Sequence, residues 1–180
     1  MSDNKDSRPR TGRKVIFKGR RITVIRDTVL INGKKVFRDW IDKPRVSAMV
    51  PVLPDGSIIL VRQYRHGING RLWEIPAGTV DAEESPLHCA KRECEEETGY
   101  KAGKIESLGR FVVAPAELNG RVFLYRVSGL KKTQTNFDED EFLTTKSFNR
   151  KTVMQMMHSG KILDAKSLLG LYRHFYGFKK

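Results

Sequence analysis

Cysteine is scarce: Cys89 and Cys94 are the only two in 180 residues. Two thiols five positions apart cannot build a disulfide framework or a four-ligand zinc site. A reducing cytosol is therefore the expected compartment. Long apolar runs are missing too, and none approaches the ~20 residues of a membrane span. The leading MSDNKDSRPR has no apolar h-region, so no secretory signal is read there. Asp3 and Asp6 argue against an organelle transit peptide, which is poor in acids. His66, His88, His158 and His174 show no metal-ligand spacing.

Acid is in the minority. The chain carries 34 Lys and Arg against 21 Asp and Glu, a formal charge of +13. The excess sits at the ends, with +6 over residues 1–21, +5 over 131–180 and +2 between them. Such ends read either as solvated tails or as attraction to phosphate-bearing ligands and nucleic acid. Within the near-neutral middle, the acids cluster. Asp81, Glu83, Glu84, Glu93, Glu95, Glu96 and Glu97 fall in one short stretch, opposed by Lys91 and Arg92. Packing like charges on a helix opposes folding, so a cation is expected to offset them. A divalent metal is the natural candidate.

The length suits one domain with a small addition. Residues 1–14 read as a disordered basic tail. Residues 15–45 alternate apolar and polar around Asn32-Gly33, a hairpin signal, and predict an antiparallel strand unit. Residues 46–180 form the main domain. There, Val46–Leu53 and Ser57–Val61 flank Pro54-Asp55-Gly56 and predict a second hairpin. Further strands are expected at Arg71–Ile75 and near 105–114, 121–128 and 142–148. Helices are expected at about 86–98, 150–158 and 164–176, with Gly160 between the last two. The class is α+β with a mixed sheet.

Ser85-Pro86 opens the first helix well, as N-cap and first-turn proline, and Gly99 closes it. At 100° per residue, Glu93, Glu96 and Glu97 share an arc of about 100°. Leu87, Ala90, Cys94 and Thr98 make the neighbouring core stripe. Within the predicted helix, Glu93 and Glu97 have no basic partner four residues away, unlike Glu96 with Arg92. Three carboxylates on one rigid edge suit a hard cation such as Mg²⁺ or Mn²⁺.

Gly78, then Glu84, then Arg92-Glu93-Cys94-Glu95-Glu96-Glu97-Thr98-Gly99-Tyr100 resembles the Nudix box, G-x5-E-x7-R-E-U-x-E-E-x-G-U, at every fixed position. Cys94 and Tyr100 fill its two apolar places. Gln63-Tyr64-Arg65, Leu72-Trp73-Glu74-Ile75-Pro76-Ala77-Gly78, Pro115 and the Ser159–Lys166 stretch are similar to the ADP-ribose pyrophosphatase group of that family. The resemblance implies a Nudix α/β/α sandwich preceded by the small strand unit. It also implies cleavage of a nucleoside diphosphate linked to another group. Carried over by position, Glu93, Glu96, Glu97 and the Ala77 carbonyl are metal-ligand candidates. Glu84 is one through water, and Arg92 is a scaffold tying the helix to Glu84. A homodimer through the 15–45 unit is implied as well.

A diphosphate resists an anionic nucleophile, so metal-activated water and a proton acceptor are required. Glu96 is one candidate base. The resemblance points instead to an acid on a later loop, and Asp138-Glu139-Asp140-Glu141 offers Glu139 and Glu141, or only a solvated acidic turn. Arg65 is expected to contact a phosphate. Glu74 is expected to accept bonds from adenine or ribose, or to serve as a strand-end ion-pair residue. Trp73 is core or a purine platform, and Arg121 is a diphosphate contact or an exposed strand residue. The expected activity is hydrolysis of ADP-ribose or a related sugar nucleotide to AMP and a sugar phosphate. RNA 5′ ends, dinucleotides or other nucleotides, and a non-catalytic nucleotide sensor are the alternatives; nucleic acid is a partner that is not favoured, and no membrane partner is expected.

Overall fold

The computed structural model describes residues 9–133 and 143–177. The chain divides into two compact units. One comprises the chain up to Pro44 with Val112–Arg121; the other comprises Arg45–Phe111 and the chain from Val122 onward. No helix among the described residues is long and apolar enough to cross a membrane.

The first unit is an antiparallel meander of β1 (Arg10–Lys18), β2 (Thr23–Ile31) and β3 (Lys34–Asp42). Asn32 and Gly33 turn it with φ of 50° and 73°, the left-handed pair that a two-residue hairpin requires. The strand begins at Arg10, inside the segment expected to be a disordered tail. Its charged residues find partners across the ladder: Arg13 forks onto Asp27 at 2.8 and 3.0 Å. An exposed edge strand needs no apolar alternation, which is why its pattern was invisible. Residues 112–121 belong to this unit. Ile41 donates its N–H to the Glu117 carbonyl at 2.8 Å, and the Asn119 amide oxygen accepts from the Lys43 N–H at 2.8 Å.

The second unit contains β4 (Val46–Pro51), β5 (Ile58–Arg65), β6 (Gly70–Glu74), β7 (Ala77–Thr79), α1 (Pro86–Thr98), β8 (Tyr100–Lys101) and β9 (Lys104–Val112). It continues with β10 (Arg121–Ser128), β11 (Lys131–Lys132), β12 (Thr144–Phe148), α2 (Arg150–His158) and α3 (Ala165–Tyr176). One sheet has the order β7-β4-β10-β9, with β4 parallel to β10 and antiparallel to β7. A second, antiparallel sheet has the order β12-β5-β6. β8 and β11 form a small ladder of their own.

The Pro54-Asp55-Gly56 turn forms as expected, with Gly56 N–H donating to the Leu53 carbonyl at 2.9 Å. The strands it joins do not make a hairpin. They enter different sheets and share one bridge, Val52 with Ile58. Pro51 has no N–H to offer a ladder, and Val52 gives its own to Val127 at 2.8 Å, extending the β10 side.

β4 is buried on both faces because helices cover both. Met49 packs with Ala90 and Cys94 of α1 and with Tyr125 and Val127 of β10. Val50, the next residue and so on the opposite face, meets α3. A Cβ on Gly170 would lie 2.8 Å from Ile75 Cδ1 and 3.5 Å from Val50 Cγ2, so glycine permits this approach. Fully buried side chains such as Leu60 and Leu124 each contribute about 2 kcal/mol. This is the α+β sandwich with a mixed sheet that the pattern predicts.

Candidate active site

The local chemistry of α1 places its ends. Ser85 Oγ accepts from the His88 N–H at 3.2 Å, Pro86 fits the first turn, and Gly99 closes the helix at φ 71°. The buried stripe is Cys89, Ala90, Cys94, Glu97 and Thr98. Leu87, expected in the core, is 40% exposed. The helix is turned so that Cys89 faces β7, where its Sγ donates to the Thr79 carbonyl at 3.4 Å. Burial pushes the Cys89 thiol up to about 12, so it remains protonated and inert.

The same rotation sets the acidic edge against β7. A Cβ on Gly78 would lie 1.8 Å from both Cδ and Oε1 of Glu93. The carboxylate occupies the space where any other residue would put its side chain. Glu97 lies under the strand, 3% exposed, with Oε2 accepting from the Ala77 N–H at 2.9 Å. Arg92 gathers the rest. Its Nε and Nη2 donate to the two Glu84 oxygens at 3.1 and 3.0 Å, and Nη2 also donates to the Thr79 carbonyl at 3.2 Å. Its Nη1 donates to Glu93 Oε1 at 2.6 Å and to Glu96 Oε2 at 2.9 Å. The Glu84 carboxyl is held below its ordinary value, chiefly by the Arg92 hydrogen bonds. Sequence spacing gave Glu93 no basic partner; its immediate neighbour supplies one.

Among the described residues, no three Asp, Glu, His or Cys side chains converge on one point as a preformed ion cage. Glu93 and Glu96 instead converge on one guanidinium nitrogen, and Glu97 on a backbone amide. The chemistry still fits a hard divalent cation. The donors are all carboxylate oxygens, two of them already collect around a positive charge, and the Gly78 cradle keeps Glu93 against the strand.

A second cluster lies at the end of β6. Glu74 is 1% exposed, and both its oxygens are taken by the Arg65 guanidinium at 2.8 and 2.7 Å. Lys166 Nζ also donates to it, and reaches Asp164 Oδ2 at 2.8 Å. Burial alone would raise the Glu74 carboxyl, but the Arg65 hydrogen bonds and Lys166 together hold it below its ordinary value. The ion-pair alternative for Glu74 is the one the geometry forms. Arg65 is 40% exposed, and its partner Glu74 lies three residues before Ala77, whose N–H is bound by Glu97. Trp73 packs edge-on against Phe148, with ring centroids 5.0 Å apart, as a partly buried packing residue. Arg121 opens β10 as an exposed side chain. Glu139 and Glu141 lie outside the described residues. Sequence reasoning gave Lys166, Asp164 and Ser167 no role. Their partners lie 92 residues away in the case of Lys166 with Glu74 and of Ser167 with Ile75, and no local spacing reports that.

Comparison with known proteins follows the same outline. A NUDIX domain model matches residues 43–166. Over 155 residues the chain is 34% identical to the ADP-ribose pyrophosphatase of Bacillus subtilis (strain 168), covering 84% of each chain. It is 31% identical over 159 residues to the methanol dehydrogenase activator of Bacillus methanolicus, covering 87% of this chain and 86% of that one. A crystal structure of an ADP compounds hydrolase has the same fold. Its TM-score is 0.82 at 22% identity, over 97% of this chain and 96% of that one. ADP-ribose pyrophosphatases of this kind generally need a divalent metal. With the glycine, the glutamates and the arginine of the box folded into one strand–helix unit, and with matches of this extent, the chain belongs to the NUDIX family.

Proposed function

We propose that the chain hydrolyses the diphosphate bond of ADP-ribose or a related nucleoside diphosphate sugar, giving AMP and a sugar phosphate. The observation that carries this reading is the Arg92-centred edge of Glu84, Glu93 and Glu96 beside Gly78, with Glu97 beneath it. Glu93, Glu96 and Glu97 would hold a divalent metal, Mg²⁺ or else Mn²⁺, with Glu84 and the Ala77 carbonyl as further oxygen donors. Such an ion supplies charge neutralisation and a more acidic bound water.

The chain's own groups position and receive. Arg65, 40% exposed and bonded to Glu74 through Nε and Nη2, would use its remaining N–H groups to bind a phosphate oxygen. Arg92 fixes the carboxylates. Glu96 has the greatest side-chain exposure of its group, 34% against 13% for Glu93, and is the described carboxylate best able to reach water and take its proton. The water oxygen joins one phosphorus, and the bridging oxygen leaves with the other phosphate.

Two accessory readings accompany this one. Val15, Ile16, Phe17 and Phe37 are exposed on the β1–β2–β3 sheet, which supports a homodimer; light scattering at monomer mass would remove that idea. Both cysteines are free and buried, which suits the cytosol.

The test is AMP release from ADP-ribose with Mg²⁺ present, set against release from capped RNA. Glu97→Gln keeps an acceptor for the Ala77 N–H and should retain the wild-type circular dichroism. Turnover should fall by about a thousandfold, since several kcal/mol of electrostatic stabilisation is lost. Undiminished turnover in that variant would end the metal assignment. Faster cleavage of capped RNA would move the substrate to nucleic acid.

A further inference from the structure

We infer that Lys166 is a positioning residue. Through Glu74, it sets the direction in which Arg65 meets the diphosphate of the substrate. This rests on the proposed reading that Arg65 binds that diphosphate.

The geometry is a relay across two elements of one unit. Asp164 caps α3, accepting from the Ser167 N–H at 2.9 Å and from Ser167 Oγ at 2.6 Å. Ser167 Oγ in turn accepts from the Ile75 N–H at 2.9 Å, stapling the start of α3 to the end of β6. Lys166 stands between these contacts with its ammonium on both Asp164 and Glu74. Glu74 then holds Arg65 by Nε and Nη2. Arg65 Nη1 makes no hydrogen bond among the described residues, so its N–H groups are left for a ligand.

A buried carboxylate with two cations is balanced between them. Asp164 anchors Lys166, so Lys166 fixes where the Glu74 charge is centred. The planar fork of Arg65 must align to that charge. Without the ammonium, the carboxylate would lean wholly on Arg65 or gain a proton, and either change moves Nη1. A misaligned guanidinium fork loses part of its contact with the diphosphate in ground state and transition state alike, which raises KM and leaves kcat nearly unchanged. A lysine that served only to neutralise a buried acid would lower stability and leave substrate affinity alone.

The test is a double-mutant cycle on KM and kcat for ADP-ribose with Mg²⁺, using Lys166→Met, Arg65→Ala and both together. Lys166→Met should raise KM by about tenfold and change kcat by less than about twofold, a coupling of the size seen between residues of one salt-bridge network. Lys166→Arg should restore most of the affinity. In the Arg65→Ala background, Lys166→Met should raise KM no further. Lys166→Gln, which keeps a donor for Asp164, replaces the Met variant should that one fail to fold. An Arg65→Ala protein with unchanged KM would defeat the reading on which the inference stands. A raised KM in Arg65→Ala with a wild-type KM in Lys166→Met or Lys166→Gln would overturn the positioning role alone. So would an equal effect of Lys166→Met with and without Arg65.

Discussion

Two arginine–carboxylate forks in this molecule look alike and differ in kind. In the N-terminal sheet, Arg26 clasps Asp39 at 2.7 and 2.6 Å, and both side chains are more than two-fifths exposed. In the second unit, Arg65 clasps Glu74 at 2.8 and 2.7 Å, with Glu74 buried. Bond length does not distinguish them. Both carboxyls are held below their ordinary values, but Asp39 is lowered first by its hydrogen bonds to Arg26, while Glu74 is lowered against a larger opposing push from burial. Water can replace the partner of Asp39. Nothing replaces the partners of Glu74, so its environment demands two cations where the surface pair takes one.

The most severe way to probe that contrast is Glu74→Gln. Removing one member of a buried ion cluster leaves the others unbalanced and should cost about 3 kcal/mol, the low end for such pairs. Asp164 still serves Lys166, and Arg65 reaches water, which keeps the loss from being larger. Urea unfolding followed by circular dichroism measures it, and a wild-type midpoint would erase the distinction between the two forks. Acid sharpens it further. Because the folded Glu74 carboxyl lies below its ordinary value of 4.5, its stabilisation is complete above that pH and is lost as pH falls through the lower folded value. The stability gap between wild type and Glu74→Gln should therefore close as pH drops below 4.5, and a constant gap would show that charge is not its origin. Asp39→Asn should have the smallest effect, an unfolding midpoint indistinguishable from wild type. A clear shift there would place the surface fork in the same class as the buried one.

The sequence was a better guide to elements than to their partners. Both ends of α1, the Asn32-Gly33 turn, β10 and α2 lie where local signals put them, because caps and turns are written within a few residues. Pairing is written nowhere so near. The parallel partner of β4 is β10, more than seventy residues on, and the Pro-Asp-Gly turn gave no sign that its two flanks enter separate sheets. Leu87 failed for a finer reason: its wheel position lies between the buried Cys94 and Thr98, but it sits in the first turn of α1 and is 40% exposed there. At the acidic edge, the spacing of Glu93, Glu96 and Glu97 was legible. The single guanidinium that ties Glu84, Glu93 and Glu96 required the fold to be seen, since Arg92 must bend across to a loop eight residues earlier. Lys166 was beyond reach for the same reason as the pairing of β4 with β10.

That separation has a consequence for how the protein is made. The amide of Ile75 and the carboxylate of Glu74 wait for side chains encoded some ninety codons later. A nascent chain emerging at about 5–20 residues per second therefore exposes the β5–β6 hairpin for several seconds before α3 arrives to complete it. A premature stop upstream of residue 164 would leave that hairpin intact in sequence and permanently unfinished in structure.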